Sequence, residues 1–149
     1  MAIARGAGTE IIRTGHFEDV DSTTQILIVG VQHHIYTVLS VIFHAAALNA
    51  DTDYIKMWMD GYDNKAGTTA QTLNIFQQDM SVAQTYVWND KFSFNGFEPT
   101  DFSGPMDDAA KQNAIADQGS SVAQTLFMDA EHASDNIDVF ISYIDQNNA

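Results

Sequence analysis

The sequence predicts an all-β protein, an antiparallel β-sandwich of about eight strands with one short helical insert, on three observations. Short runs of β-branched and aromatic residues recur along the chain, separated by clusters of Gly, Asn, Asp and Ser, which is the texture of antiparallel sheets. The clearest runs alternate apolar and polar residues with period two, as a half-buried strand requires and a helix does not. No repeat, Pro-rich linker or charge block divides the 149 residues, and the two prolines are Pro99 and Pro105. One domain over 1–149 is therefore expected, with residues 1–20 as an extended N-terminal arm.

Strands are expected near 9–14, 24–31, 34–45, 54–60, 72–78, 84–88, 91–95, 121–129 and 136–145. In the last of these, Ile137, Val139, Ile141 and Tyr143 face one way, while Asp138, Phe140, Ser142 and Ile144 face the other. The polar stretch Glu131 to Asn136 suggests a hairpin joining this strand to Val122–Met128. In Tyr54–Asp60, the same alternation places Ile55, Met57 and Met59 inward and Lys56, Trp58 and Asp60 outward. The helical insert is expected over 107–118, opened by Pro105 and the Asp107-Asp108 pair and closed by Gly119. Its apolar stripe, Ala110, Ala114 and Ile115, is thin.

Two runs break the half-buried pattern. In Ile35–Ala45, Ile35, Leu39, Val41 and Phe43 share one phase and Tyr36, Val38 and Ile42 the other, and Ile26, Leu27, Ile28 and Val29 are apolar in both phases. A sandwich sheet needs one apolar face, so a second would have to be covered by this chain or by a neighbouring subunit. Tyr36, Val38, Ile42, Ile26 and Ile28 are the candidate interface residues.

Composition excludes several functions. Twenty acidic residues against six basic ones give a net charge of −14, which disfavours nucleic acid and anionic membrane surfaces as partners. The same charge makes association between copies depend on salt. Cysteine is absent, so disulfides, thiolate metal sites and cysteine nucleophiles are ruled out. The N-terminus has no apolar stretch of secretory length, and no run approaches the roughly 20 apolar residues of a membrane span. A product made in the cytoplasm of its host is expected.

The candidate constellations are weak in catalytic terms. His33 and His34 belong to no His-Glu-x-x-His motif, and neighbours on a strand point to opposite faces, so the pair cannot chelate one ion. Asp51-Thr52-Asp53 and Asp60-Gly61-Tyr62-Asp63-Asn64 offer oxygen ligands of the calcium type but lack the closing glutamate of an EF-hand; solvated turns are the simpler reading. No Gly-x-Ser-x-Gly elbow poses a nucleophile, and Gly6-Ala7-Gly8 has neither a preceding strand nor a phosphate-loop lysine. No cofactor, no metal and no enzymatic activity are expected. The aromatic stretch Thr85–Phe97 could fill the core, anchor an interface or stack on sugar rings, with Trp58, Trp88 and Phe97 as glycan platforms.

The run Val31–His44 leading to Tyr54–Met59, the run Val87–Gly96 and the closing Phe140–Asp145 resemble strands of small β-sandwich proteins in tailed bacteriophages, particularly marine phages. The resemblance is to head decoration and related virion structural proteins. It implies a jelly-roll-like subunit, often trimeric, seated on a capsid lattice. The expected function is then a capsid decoration or cement subunit of the virion, partnered by copies of itself and by the major capsid protein. A glycan-binding module for host attachment, or a tail, portal or fibre-anchoring component, are the alternatives.

Overall fold

The computed structural model describes residues 9–62, 70–99, 108–110 and 121–147. Its strands are β1 (Thr9–Val20), β2 (Gln25–Val29), β3 (His34–Ala47), β4 (Tyr54–Tyr62), β5 (Ala70–Asp79), β6 (Thr85–Trp88), β7 (Phe92–Asn95), β8 (Phe97–Pro99), β9 (Ser121–Ala123), β10 (Thr125–Ala130) and β11 (Asn136–Asn147). Each of the nine expected runs is a strand. The run at 121–129 is cut in two at Gln124, whose N–H donates to Gly96 O at 3.0 Å and whose carbonyl accepts from Gly30 N at 2.9 Å. Of the expected helix, Ala109 and Ala110 are helical; positions 107 and 111–118 lie outside the described residues.

The strands form two antiparallel sheets, one ordered β1-β11-β3-β6 with β7 also on β3, the other ordered β2-β10-β4-β5, beside a small β8-β9 ribbon. The chain changes sheet at β1 to β2, β2 to β3, β3 to β4, β5 to β6 and β10 to β11. That arrangement makes the sandwich a jelly roll.

One expectation about connectivity is corrected. β10 and β11 are not hairpin partners: β10 pairs with β2 and β4, β11 with β1 and β3. Both strands are apolar on one face, and each buries that face in the shared core from its own sheet rather than beside the other. The described part of the expected N-terminal arm is strand β1, in register with β11 from Thr9↔Asn147 to Phe17↔Val139.

The apparent surplus of apolar surface in β3 has a local cause. Tyr143 is opposite Val38 and Ser142 is opposite Ser40, so Leu39 is an extra residue, a β-bulge that reverses the phase of the strand. Tyr36 and Val38 point inward before it, Val41, Phe43 and Ala45 after it, and all five are buried. Extra residues at Leu27 in β2 and Ile75 in β5 do the same; Leu27 and Ile28 are both buried as a result, leaving Ile26 and Val29 outside. Period two, carried through a bulge, reads as two apolar faces where there is one.

The bulge also shapes the edge. β6 pairs with Val41–His44 and β7 with Ile35–Val38, so one strand position is split into two at the level of Leu39. The core between the sheets is closed by Ile55, Met57, Leu126, Met128, Ile137, Val139 and Ile141, all essentially inaccessible. A ladder of rings runs along its open side: Tyr86 on Phe43 (5.5 Å), Phe43 on Phe76 (5.7 Å), Phe76 on Trp88 (5.3 Å) and Trp88 on Phe92 (5.7 Å). Of the aromatic stretch after Thr85, Phe94 is in the core, and Tyr86, Trp88 and Phe92 are half-buried against it.

Gly30 and Gly96 show why two turns need glycine. A Cβ on Gly30 would collide with the Gly96 carbonyl oxygen, and one on Gly96 with the Val31 carbonyl oxygen. Main chain packs directly on main chain there, which a side chain would prevent.

Candidate interaction surfaces

The outer face of the β1-β11-β3-β6 sheet can be written from its register. One row across the four strands is His16, Phe140, Ile42 and Val87. The next is Thr14, Ser142 and Ser40, and the one after it Ile12, Ile144, Thr37 and Ser93. No Asp, Glu, Lys or Arg occurs in these rows, on a chain with 20 acidic residues. Phe140 is 38% exposed, Ile42 36%, Val87 60% and Ile12 67%, so the rows present apolar surface rather than hide it. The hydroxyls of Thr37 and Ser93 are hydrogen-bonded to each other, with Oγ1 and Oγ 2.8 Å apart. Asp138, paired with His44, and Glu10, paired with Gln146, lie beyond the two ends. An uncharged, partly apolar centre with carboxylates at its margin is the composition of a protein–protein interface.

The five interface candidates do not form one patch. Tyr36, Val38 and Ile28 are 3%, 0% and 4% exposed and belong to the core; the bulges explain why. Ile42 is on the face just described. Ile26, 46% exposed, is on the opposite outer face, in register with Phe127. The partners that the sequence reading left out, Phe140 and Val87, surround Ile42. Phe140 had a signal: it is an apolar residue in the polar phase of β11.

The three glycan candidates are likewise separated. Trp58 stacks on Phe127 at 4.3 Å on the outer face of the β2-β10-β4-β5 sheet, Trp88 packs against the core at the open edge, and Phe97 is half-buried in β8. Trp88 does border a cleft of about 450 Å³ between the edges of the sheets, lined by Met59, Leu73, Asn74, Trp88, Asp90 and Phe92 among others. It opens where the bulge splits β6 from β7.

A buried carboxylate ties β1, β3 and β11 together. Asp145, 4% exposed, accepts from Arg13 Nε at 2.8 Å through Oδ2, and its Oδ1 is 2.6 Å from His34 Nδ1. Burial alone would raise its pKa; the hydrogen bonds from His34 and Arg13 outweigh that and hold it below the ordinary carboxylate value. Burial and the same carboxylate push the Tyr36 phenol up to about 12, and Tyr36 Oη accepts a hydrogen bond from Val31 N–H at 3.1 Å. Held by Arg13 on one oxygen and His34 on the other, Asp145 is a clamp between strands. His33 lies in the preceding turn with φ of 64°, off the strand that holds His34.

Of the acidic turns, Asp53 Oδ2 accepts from Ala50 N at 2.9 Å and Asp60 Oδ1 from Thr72 Oγ1 at 3.1 Å. Asp63 and Asn64 lie outside the described residues, as do Gly6, Ala7 and Gly8.

No protein-family model matches the chain, and no curated relative matches it in sequence. Solved structures similar in shape include the following two. One is a Bacillus endospore appendage protein from a family of disulfide-linked pili, at 10% identity and a TM-score of 0.43, with 100% of this chain and 97% of that chain covered. The other is from the T13 viral particle of IBDV, at 8% identity and a TM-score of 0.39, with 99% of this chain but 37% of that chain covered. At these scores neither superposition bears on what this chain does.

Proposed function

We propose that the chain is a structural subunit of a bacteriophage virion, a capsid decoration or cement component that associates with copies of itself and with the major capsid protein. The observation that carries the self-association is the outer face centred on Ile42: three rows without a charged residue on a protein of net charge −14. Two such chains repel wherever carboxylates meet, so contact through these rows costs least in charge and removes Phe140, Ile42, Val87 and Ile12 from water. A shell is then reinforced by mass action, since a partner that binds the assembled form draws the equilibrium toward it. The phage and capsid assignment rests on the sequence resemblance, and no catalytic step belongs to it.

Ile42→Asp tests the association. The side chain is at the surface, so the subunit should keep its fold by circular dichroism, while light scattering should show a monomer where the unaltered chain is oligomeric. An oligomer unchanged by the substitution overturns the role of this face. Assay of purified particles for this chain, in fixed ratio to the shell protein, tests the virion assignment.

Glycan binding is the second reading, favoured by the cleft beside Trp88, where Asp90 and Asn74 could hydrogen-bond sugar hydroxyls. Titration with oligosaccharides, using Asp90→Ala as the control, separates it from the first.

A further inference from the structure

Two buried aspartates organise the end of the sandwich where the β3–β4 loop meets the β10–β11 connection. Asp135, 4% exposed, accepts from Asn49 N at 2.8 Å with one oxygen and from His132 N at 2.9 Å with the other, so it joins the two segments. Glu131 is held on both its main chain and its side chain: its N–H donates to Tyr54 O at 3.1 Å, and its Oε2 accepts from Tyr54 N at 3.2 Å. These contacts bring Glu131 and His132 beside Asp53, the residue before Tyr54. One donor atom from each of Asp53, Glu131 and His132 lies within 4.8 Å of the other two.

The second aspartate is the informative one. Its side chain is 6% exposed, and Ala50 N occupies Oδ2. Oδ1 faces His132 Nε2 at 3.8 Å, too far for a hydrogen bond, and accepts none from any described residue. A carboxylate that is mostly buried, with one oxygen held by Ala50 N and the other left facing an imidazole nitrogen and a second carboxylate at more than hydrogen-bond distance, is a set of three ligand types a cation can draw together. A tetrahedral ion with bonds near 2.1 Å holds its ligand atoms roughly 3.4 Å apart. The contraction from 4.8 Å falls on the exposed side chains of His132 and Glu131, the latter by sharing or giving up its hydrogen bond from Tyr54 N, while Asp53 stays fixed.

We propose that Asp53, Glu131 and His132 bind one divalent transition-metal ion of the zinc type, with water completing the shell, and that the ion pins the β3–β4 loop to the β10–β11 connection. Imidazole selects zinc, nickel or copper over calcium and magnesium, which prefer all-oxygen sets. Two carboxylates neutralise the ion's charge, and the acidic protein concentrates cations around it. The site is independent of the association face, on another part of the fold.

Isothermal titration of the full chain with zinc should give one saturable site. Zinc at a hundredfold above its Kd should raise Tm by about 5–10 °C. His132→Ala and Glu131→Gln alter exposed side chains and should keep the fold, yet each should weaken zinc binding at least tenfold and abolish most of the Tm shift. Zinc should also move the imidazole resonances of one histidine, assigned to His132 by their loss in His132→Ala. Absence of saturable binding overturns the proposal, as does binding of equal affinity in His132→Ala, or calcium giving the same stabilisation as zinc.

Discussion

Asp145 is a single side chain on which three strands depend. Arg13 on β1 and His34 on β3 both reach it on β11, so the carboxylate links the edge strand to the centre of its sheet. Its folded pKa is below its ordinary value of 3.8. The stability it contributes is therefore complete above the unfolded carboxyl range and is lost as pH falls through the folded value. Asp145→Asn keeps the shape and removes the charge, and should cost about 1.5–3 kcal/mol at neutral pH, the worth of hydrogen bonds to a charged group. Urea denaturation from pH 7 down to pH 2 should show the variant with the shallower loss of stability toward acid. A variant whose pH dependence matches the unaltered protein would show that Asp145 does not carry the acid sensitivity.

At the level of the strand, the bulge at Leu39 decides which side of β3 is inside. It places Tyr36 and Val38 in the same core as Val41 and Phe43, although the two pairs are out of phase in sequence. Deleting Leu39 restores uninterrupted alternation, so either half of β3 must turn its core residues to solvent. The deletion should cost more than about 4 kcal/mol or abolish folding, whereas Leu39→Ala, which keeps the extra residue, should cost about 1 kcal/mol. Chemical denaturation of both variants measures the difference. Near-equal effects would mean that the side chain, not the inserted residue, is what matters. The break between β6 and β7 lies opposite the bulge, and the cleft beside Trp88 opens at the same level, so one inserted residue sets the pairing of the edge as well.

For the whole molecule, charge and the uncharged face act against each other. A net charge of −14 opposes contact between copies, and its reach shrinks from about 10 Å at 0.1 M salt to about 3 Å at 1 M. Association through the Ile42 face should therefore strengthen with sodium chloride, and sedimentation from 0.05 to 1 M should show the oligomer gaining at the expense of monomer. Ile42→Asp should remain monomeric across the same range. Dissociation by added salt would point instead to contacts made by ion pairs.

Strand positions were legible in the sequence because period-two alternation is a local property, and the runs 54–60 and 136–145 have the inward and outward sides it predicts. Trp58 outward and Met57 inward follow from the same rule. Which strands share a sheet was not legible. β10 and β11 are adjacent in sequence and apolar on one face each, and nothing local distinguishes pairing edge to edge from stacking face to face. The interface candidates failed at Tyr36, Val38 and Ile28 because a bulge leaves no residue-type signature in β3 or β2, and phase was carried through it. Ile42 and Phe140 come together because β3 and β11 pair at that register, and Asp53 meets Glu131 and His132 because two connections converge at one end. Composition and alternation thus determined the all-β class, the charge and the strand runs. The tertiary structure alone decided what each surface holds, because neighbours on a sheet or between loops are set by long-range pairing that no short window of sequence contains.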